Sequence, residues 1–209
     1  METNHIFIDG DEEKLKKALE EADRFADYQH FEKKNALRLR LMTEELIGML
    51  RGIAGDYKAM FWADGSEAMC HLNLEARIQM DKEKRKELLA ASSSGKNAAA
   101  VGIAGKIRDM IESGLQSFDE SAKIATESGT PLAFYSLGMD PSQASLSAID
   151  WSLSRYREQI VDQQGDDEEE STAAWDELEK SIIANLADDV RVGITKSQVK
   201  ITVDKNFKK

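Results

Sequence analysis

Between Ala68 and Met80 an apolar residue recurs at every second position. Ala68, Cys70, Leu72, Leu74, Ala76, Ile78 and Met80 are apolar and share one parity, while His71, Asn73, Glu75, Arg77 and Gln79 stand between them. A period of two sends the first set to one face of a strand and the second set to the other. A helix would scatter the apolar residues around its circumference. The segment therefore predicts a long strand with one face on a core and one polar face. The polar face needs a covering of water, a partner or a second copy. A shorter run, His5 to Asp9, predicts a first or edge strand ending at Gly10. Tyr57 to Ala63 is aromatic-rich and predicts another, with Asp64-Gly65 as the hairpin turn before the long strand. Val190, Val192 and Ile194, then Val199, Ile201 and Val203, predict a second hairpin turning at Lys196-Ser197.

Other stretches carry the helical period. Leu15, Leu19, Ala22, Phe25 and Ala26 predict a helix over about 11–28. Leu39, Met42, Leu46, Met49, Leu50 and Ile53 predict a second over about 35–54, stopped by Gly55. Asp81 suits the cap of a helix over about 82–91. Asn97 suits the cap of another whose apolar members are Val101, Ile103, Ile107, Met110, Ile111 and Leu115. From 116 to 141 the pattern weakens, with breaks at Gly129-Thr130-Pro131 and Asp140-Pro141. Ser142 to Val161 predicts a helix with Leu146, Ile149, Leu153, Tyr156 and Ile160 in its stripe. Asp162 to Ser171 is acidic and self-repelling, a connection before a helix over about 172–187. Five strands in one mainly antiparallel, mixed sheet with helices on one face would bury all these stripes. The expected fold class is an α+β two-layer α/β sandwich, a single domain over 1–209 with a mostly helical insertion or lid at about 116–175.

Composition narrows the chemistry. Hydrophobic residues make up 41% of the 209, enough for a sizeable core. The formal net charge of -11 disfavours a general nucleic-acid surface. The one cysteine, Cys70, sits at a core position and cannot form an internal disulfide. No signal core and no apolar run of membrane-spanning length stands in the chain, so the reading is a cytoplasmic protein with no membrane contact. The histidines show no zinc spacing, and no nucleophile elbow or Cys/His pair is present.

Two features carry candidate chemistry. The stretch SSSGKN is not a Walker A loop, because Ala90 stands five residues before Gly95 and Asn97 follows Lys96. Its parts nevertheless suit an anion. Ser94 offers a hydroxyl, Gly95 lets backbone amides turn inward, Lys96 brings charge, and the helix start after Asn97 offers free N–H groups. Ala98, Ala99, Ala100, Gly102, Ala104 and Gly105 leave the backbone open to close approach. The alternative is a flexible joint before a closely packed helix. The second feature is the pair Glu44 and Glu45 on the second helix, where a carboxylate at a pocket edge could act as general base. The alternative there is a pair of solvent-facing acids bonded to Arg40 or Arg51.

The element order and three segments resemble the GHKL ATPase superfamily, which contains gyrase, the histidine kinases and the anti-sigma-factor serine kinases. The likeness is nearest to the anti-sigma type and covers about residues 5–113. In TEELIGML, Glu44 matches the family's general-base glutamate, and Gly48 falls where the family has its Mg²⁺-binding asparagine. In Glu75-Ala76-Arg77-Ile78-Gln79, Glu75 matches the aspartate that reads adenine, and the family's two glycines are replaced. SSGKNAAAVGIAGKI resembles the lid and helix start, with Gly95, Lys96, Asn97, Gly102 and Gly105 meeting phosphates. The resemblance implies an ATP- or ADP-binding signalling protein, with Mg²⁺ as the metal, weak or no catalysis, a regulatory protein partner and a homodimer. A protein-interaction module that kept the fold and lost the nucleotide is the alternative.

Overall fold

The computed structural model describes residues 1–51, 55–66, 68–80, 149–163, 168–195 and 198–207, together with 103, 105–108, 110–112, 114 and 115. The expected helix over 82–91 and the weakly patterned stretch 116–141 lie outside these residues.

The chain begins with β1 (Ile6–Ile8), α1 (Glu12–Tyr28) and α2 (Lys33–Arg51). Asp11 caps α1, its side chain accepting from the Glu13 N–H at 2.9 Å. His30 takes a positive φ of 54° in the link to α2. Phe31 then turns inward between Phe25 and Phe207, with ring centroids 6.2 and 4.7 Å away. The apolar stripe of α2 is buried as its period requires: Leu39, Met42, Leu46 and Leu50 are fully enclosed. β2 (Gly55–Ser66) and β3 (Met69–Met80) form the long hairpin, followed by helical residues 105–108 and 110–112. Ile103, Ile107, Ile111 and Leu115 are buried, so the helical period expected there holds. β4 (Ile149–Ser152), α3 (Leu153–Gln163), α4 (Glu168–Lys180), α5 (Ile182–Leu186), β5 (Asp189–Thr195) and β6 (Gln198–Asn206) complete the described chain.

All six strands belong to one sheet in the order β1-β2-β3-β6-β5-β4, every neighbouring pair antiparallel. The α+β sandwich expected from the sequence is the fold observed. Cys70, Leu72, Leu74, Ala76 and Ile78 of β3, and Val190, Val192, Ile194, Val199, Ile201 and Val203, are buried in one cluster with the inner faces of α1 and α2. The helices thus pack on the apolar parity, while the odd positions of β3 point to the opposite face.

Several details differ from expectation, among them that a mixed sheet was expected where every pair is antiparallel, and that α4 starts at Glu168 inside the acidic stretch expected as a connection. The sheet has six strands, because residues 149–152, expected as part of a helix, pair with β5. The stretch expected as a helical insertion therefore contributes an edge strand. Asp64-Gly65 is not the turn: the ladder runs on through Gly65↔Cys70 to Ser66↔Met69. Gly65 has φ 147° within the ladder, and a Cβ there would lie 2.1 Å from the Met69 carbonyl oxygen. Finally, the helix expected over 172–187 is broken at Ser181, whose hydroxyl caps α5 by accepting from the Ala184 N–H at 3.2 Å.

Candidate functional site

Glu44 lies on the outward stripe of α2 with Arg40 one turn before it and Gly48 one turn after. Its carboxylate stands 3.5 Å from Arg40, whose guanidinium also bonds Asp23 of α1. The Glu44 side chain is 47% exposed, so it is accessible to a ligand and held by only a loose pair. Beside Gly48 the space is open, since a Cβ there would meet nothing within 4 Å.

Glu45 has a different role from its neighbour. Its carboxylate accepts from the Ile183 N–H at 2.6 Å and the Ser181 hydroxyl at 3.1 Å. Burial pushes its pKa up, opposed by those two hydrogen bonds. It clasps α2 to the start of α5. Neither expected alternative, a catalytic base nor a solvent acid paired with arginine, describes it.

Glu75 occupies an odd position of β3, exposed between buried Leu74 and Ala76. It faces away from α2, with the sheet between it and Glu44. The structure therefore does not bring these two expected site residues together. Gly105 is buried in a helical stretch. Ser94, Gly95, Lys96, Asn97 and Gly102 lie outside the described residues. Among the described residues no group of three or more His, Cys, Asp or Glu side chains could hold a metal ion, and no helix is long and apolar enough to cross a membrane. Burial raises the pKa of the Cys70 thiol, which makes it a core residue rather than a nucleophile.

The polar face of the sheet is more organised than its alternation alone conveyed. Asp204 of β6 sits opposite His71 and accepts from Arg191 at 2.8 and 3.0 Å through both oxygens, while one of them meets the His71 Nδ1 at 2.6 Å. The same contact with Asp204 raises the pKa of Arg191. In the next row, Asn73 donates to Asp64 at 2.7 Å and accepts from the Thr202 hydroxyl at 3.2 Å. Asn73 is only 5% exposed, so these bonds satisfy a buried amide. The face is concave here, enclosing an open cleft of about 670 Å³ between the β2–β3 hairpin and the start of α3. At the β1 side of the same face, His5 stacks on Trp62 with centroids 4.6 Å apart, and Phe7 and Met60 are exposed.

Sequence reasoning missed the partners of His71 because the two residues of that pair are 133 positions apart. The signal was present in the last hairpin, whose outward parity carries Arg191, Lys200, Thr202 and Asp204. No family model matches the chain, and no curated protein or solved structure does either.

Proposed function

We propose that the protein is a divergent GHKL-like ATP- or ADP-binding domain acting in cytoplasmic signalling of the anti-sigma-factor or histidine-kinase type, with weak or no catalysis. The observation that supports it is the laying out of strand, two helices and hairpin as one antiparallel sheet under a helical layer, with Glu44 accessible on the second helix and open space beside Gly48. In this reading Ser94, Gly95, Lys96 and Asn97 bind phosphates, and Gly102 allows the backbone close to them, while Gly105 is buried and drops out of the site. Glu44 is the base for any phosphoryl transfer that remains. Glu75 is left out of the site, because it faces the other side of the sheet. Gly48 brings no side-chain oxygen to the position where the resemblance has its Mg²⁺ ligand, so no step is assigned to a metal. A regulatory protein and a second copy of the chain are the partners this reading implies.

A melting-temperature titration of the full chain with ATP and ADP, each with and without Mg²⁺, tests the proposal. Nucleotide at about 100 times its dissociation constant stabilises by about 2.7 kcal/mol, which is about 5–10 °C for a domain of this size. Lys96→Ala removes the shift. No shift at millimolar nucleotide overturns the reading.

The polar sheet face supports a second reading, a non-catalytic interaction module. Its exposed Phe7 and Met60 beside a grid of paired charges resemble the mixed surface of a transient interface. Co-purification of one stable partner, lost in Met60→Glu and retained in Lys96→Ala, favours this reading over the first.

A further inference from the structure

The described chain repeats one unit across the β3–β6 junction. A strand, two helices and a hairpin appear first as β1, α1, α2, β2 and β3, and again as β4, α3, α4, β5 and β6, with the short α5 added the second time. In each unit the first strand is the outer edge of the sheet and the last lies at the junction. Aligning Met69, the start of β3, with Gln198, the start of β6, also aligns Ser66 with Thr195, the ends of β2 and β5. Both hairpins therefore turn over links of the same length. Burial follows this alignment: Leu72 and Leu74 fall on Ile201 and Val203, and Asn73, a buried polar residue of β3, falls on Thr202, a buried polar residue of β6. No residue is identical between the aligned hairpin strands, so the repeat lies in register and burial rather than in letters.

Asn73 and Thr202 are also partners across the junction, the Thr202 hydroxyl donating to Asn73 at 3.2 Å. A pair that is both aligned and opposed marks a two-fold axis. About that axis, His71 opposite Asp204 is equivalent to Lys200 opposite Glu75, a basic and an acidic residue each time. We infer that the chain is a dimer of one βααββ unit carried in a single polypeptide, and that the junction edge of β3 recognises a second copy of its own unit. β3 laid antiparallel on itself about Asn73 sets His71 against Glu75 and Leu72 against Leu74. β6 laid on itself about Thr202 sets Lys200 against Asp204 and Ile201 against Val203. Each strand is thus complementary to itself in the register that the junction uses. The inference stands on the junction alone and is independent of the nucleotide reading.

A strand transplant in the full chain tests it. Residues 198–206 are replaced by the sequence of 69–77, so that β3 faces a copy of itself within one molecule. The buried changes Val199→Cys, Ile201→Leu and Val203→Leu keep the core near its volume, and Asp204→Glu keeps an acid opposite His71. The transplant should remain monomeric by light scattering, unfold cooperatively and melt within about 10 °C of the parent. A control places the sequence of 71–79 in the same positions. It keeps the apolar parity but shifts the register by two residues, and Asp204→Arg then sets a cation against His71 and Arg191. The control should melt at least about 10 °C below the matched transplant. The triple variant Lys200→His/Thr202→Asn/Asp204→Glu leaves the apolar face untouched and should stay within about 5 °C of the parent. A matched transplant no more stable than the shifted control overturns the inference. So does a loss of more than about 10 °C in the triple variant.

Discussion

Gly48→Ala is a direct test of whether the outer stripe of α2 is open. A glycine inside a helix costs about 0.5–1 kcal/mol relative to alanine, because the backbone loses more freedom on folding. Sequences keep such a glycine when a side chain would clash or when φ is positive. Neither condition holds here: an added Cβ meets nothing within 4 Å, and the positive-φ glycines are Gly10 and Gly65 among the described residues. The alanine should therefore raise stability by close to the full propensity difference, about 2–4 °C in melting temperature for a domain of this length. Urea unfolding with an unchanged m-value, supported by calorimetry, measures it. A variant less stable than the parent would refute the reasoning, because something must then occupy the flank of Gly48. Gly48→Asn carries the argument to function. Asparagine fits the same space and supplies the side-chain oxygen that the GHKL resemblance assigns to Mg²⁺. Stability should change by less than about 0.5 kcal/mol, while the shift in melting temperature produced by ATP becomes Mg²⁺-dependent. An identical response with and without Mg²⁺ would remove Gly48 from the phosphate side of any nucleotide site.

Glu45→Ala should destabilise by about 1–3 kcal/mol, since the Ile183 N–H and Ser181 hydroxyl lose a charged acceptor; Glu45→Gln keeps an acceptor and should cost much less. Burial raises the Glu45 pKa in the folded state, so the native protein holds this proton more tightly than the unfolded chain. Wild-type stability relative to Glu45→Gln should accordingly rise as pH falls through the window from the raised folded pKa to the ordinary carboxylate value, which denaturant titrations across that range measure. Gly65→Ala should cost about 2–3 kcal/mol, because φ 147° and the 2.1 Å approach to the Met69 carbonyl both forbid a side chain; a melting temperature equal to the parent's would mean that the ladder does not run through Gly65.

The legible parts of the fold are those decided locally. The β3 alternation is long enough that one face had to be buried, and Asp11 followed by spaced apolar residues marked α1 almost to the residue. The last hairpin was equally plain, because both strands alternate around a short link. What failed was decided by partners elsewhere. Ile149, Leu153, Tyr156 and Ile160 are spaced for a helix throughout, and four residues are too few to display a strand period. Only pairing with β5 makes 149–152 extended. Ser181 lies inside a continuous apolar pattern, and its breaking of the helix depends on its own hydroxyl cap and on Glu45. The polar face was read as needing a cover. Its pairing into rows required knowing that β3 neighbours β6, a fact no local window contains.

That adjacency has a consequence for how the chain is made. The sheet consists of two three-stranded halves, β1-β2-β3 and β6-β5-β4, joined along a single seam. As the polypeptide leaves the ribosome, the first half is complete long before the second exists. Until then the 12 residues of β3 present an unpaired edge to the surrounding solution. Closing the seam means a slow search over a long intervening span, and the clasp between α2 and α5 must wait for the same stretch of chain. Nascent molecules halted before residue 189 would thus be the most aggregation-prone form this sequence passes through.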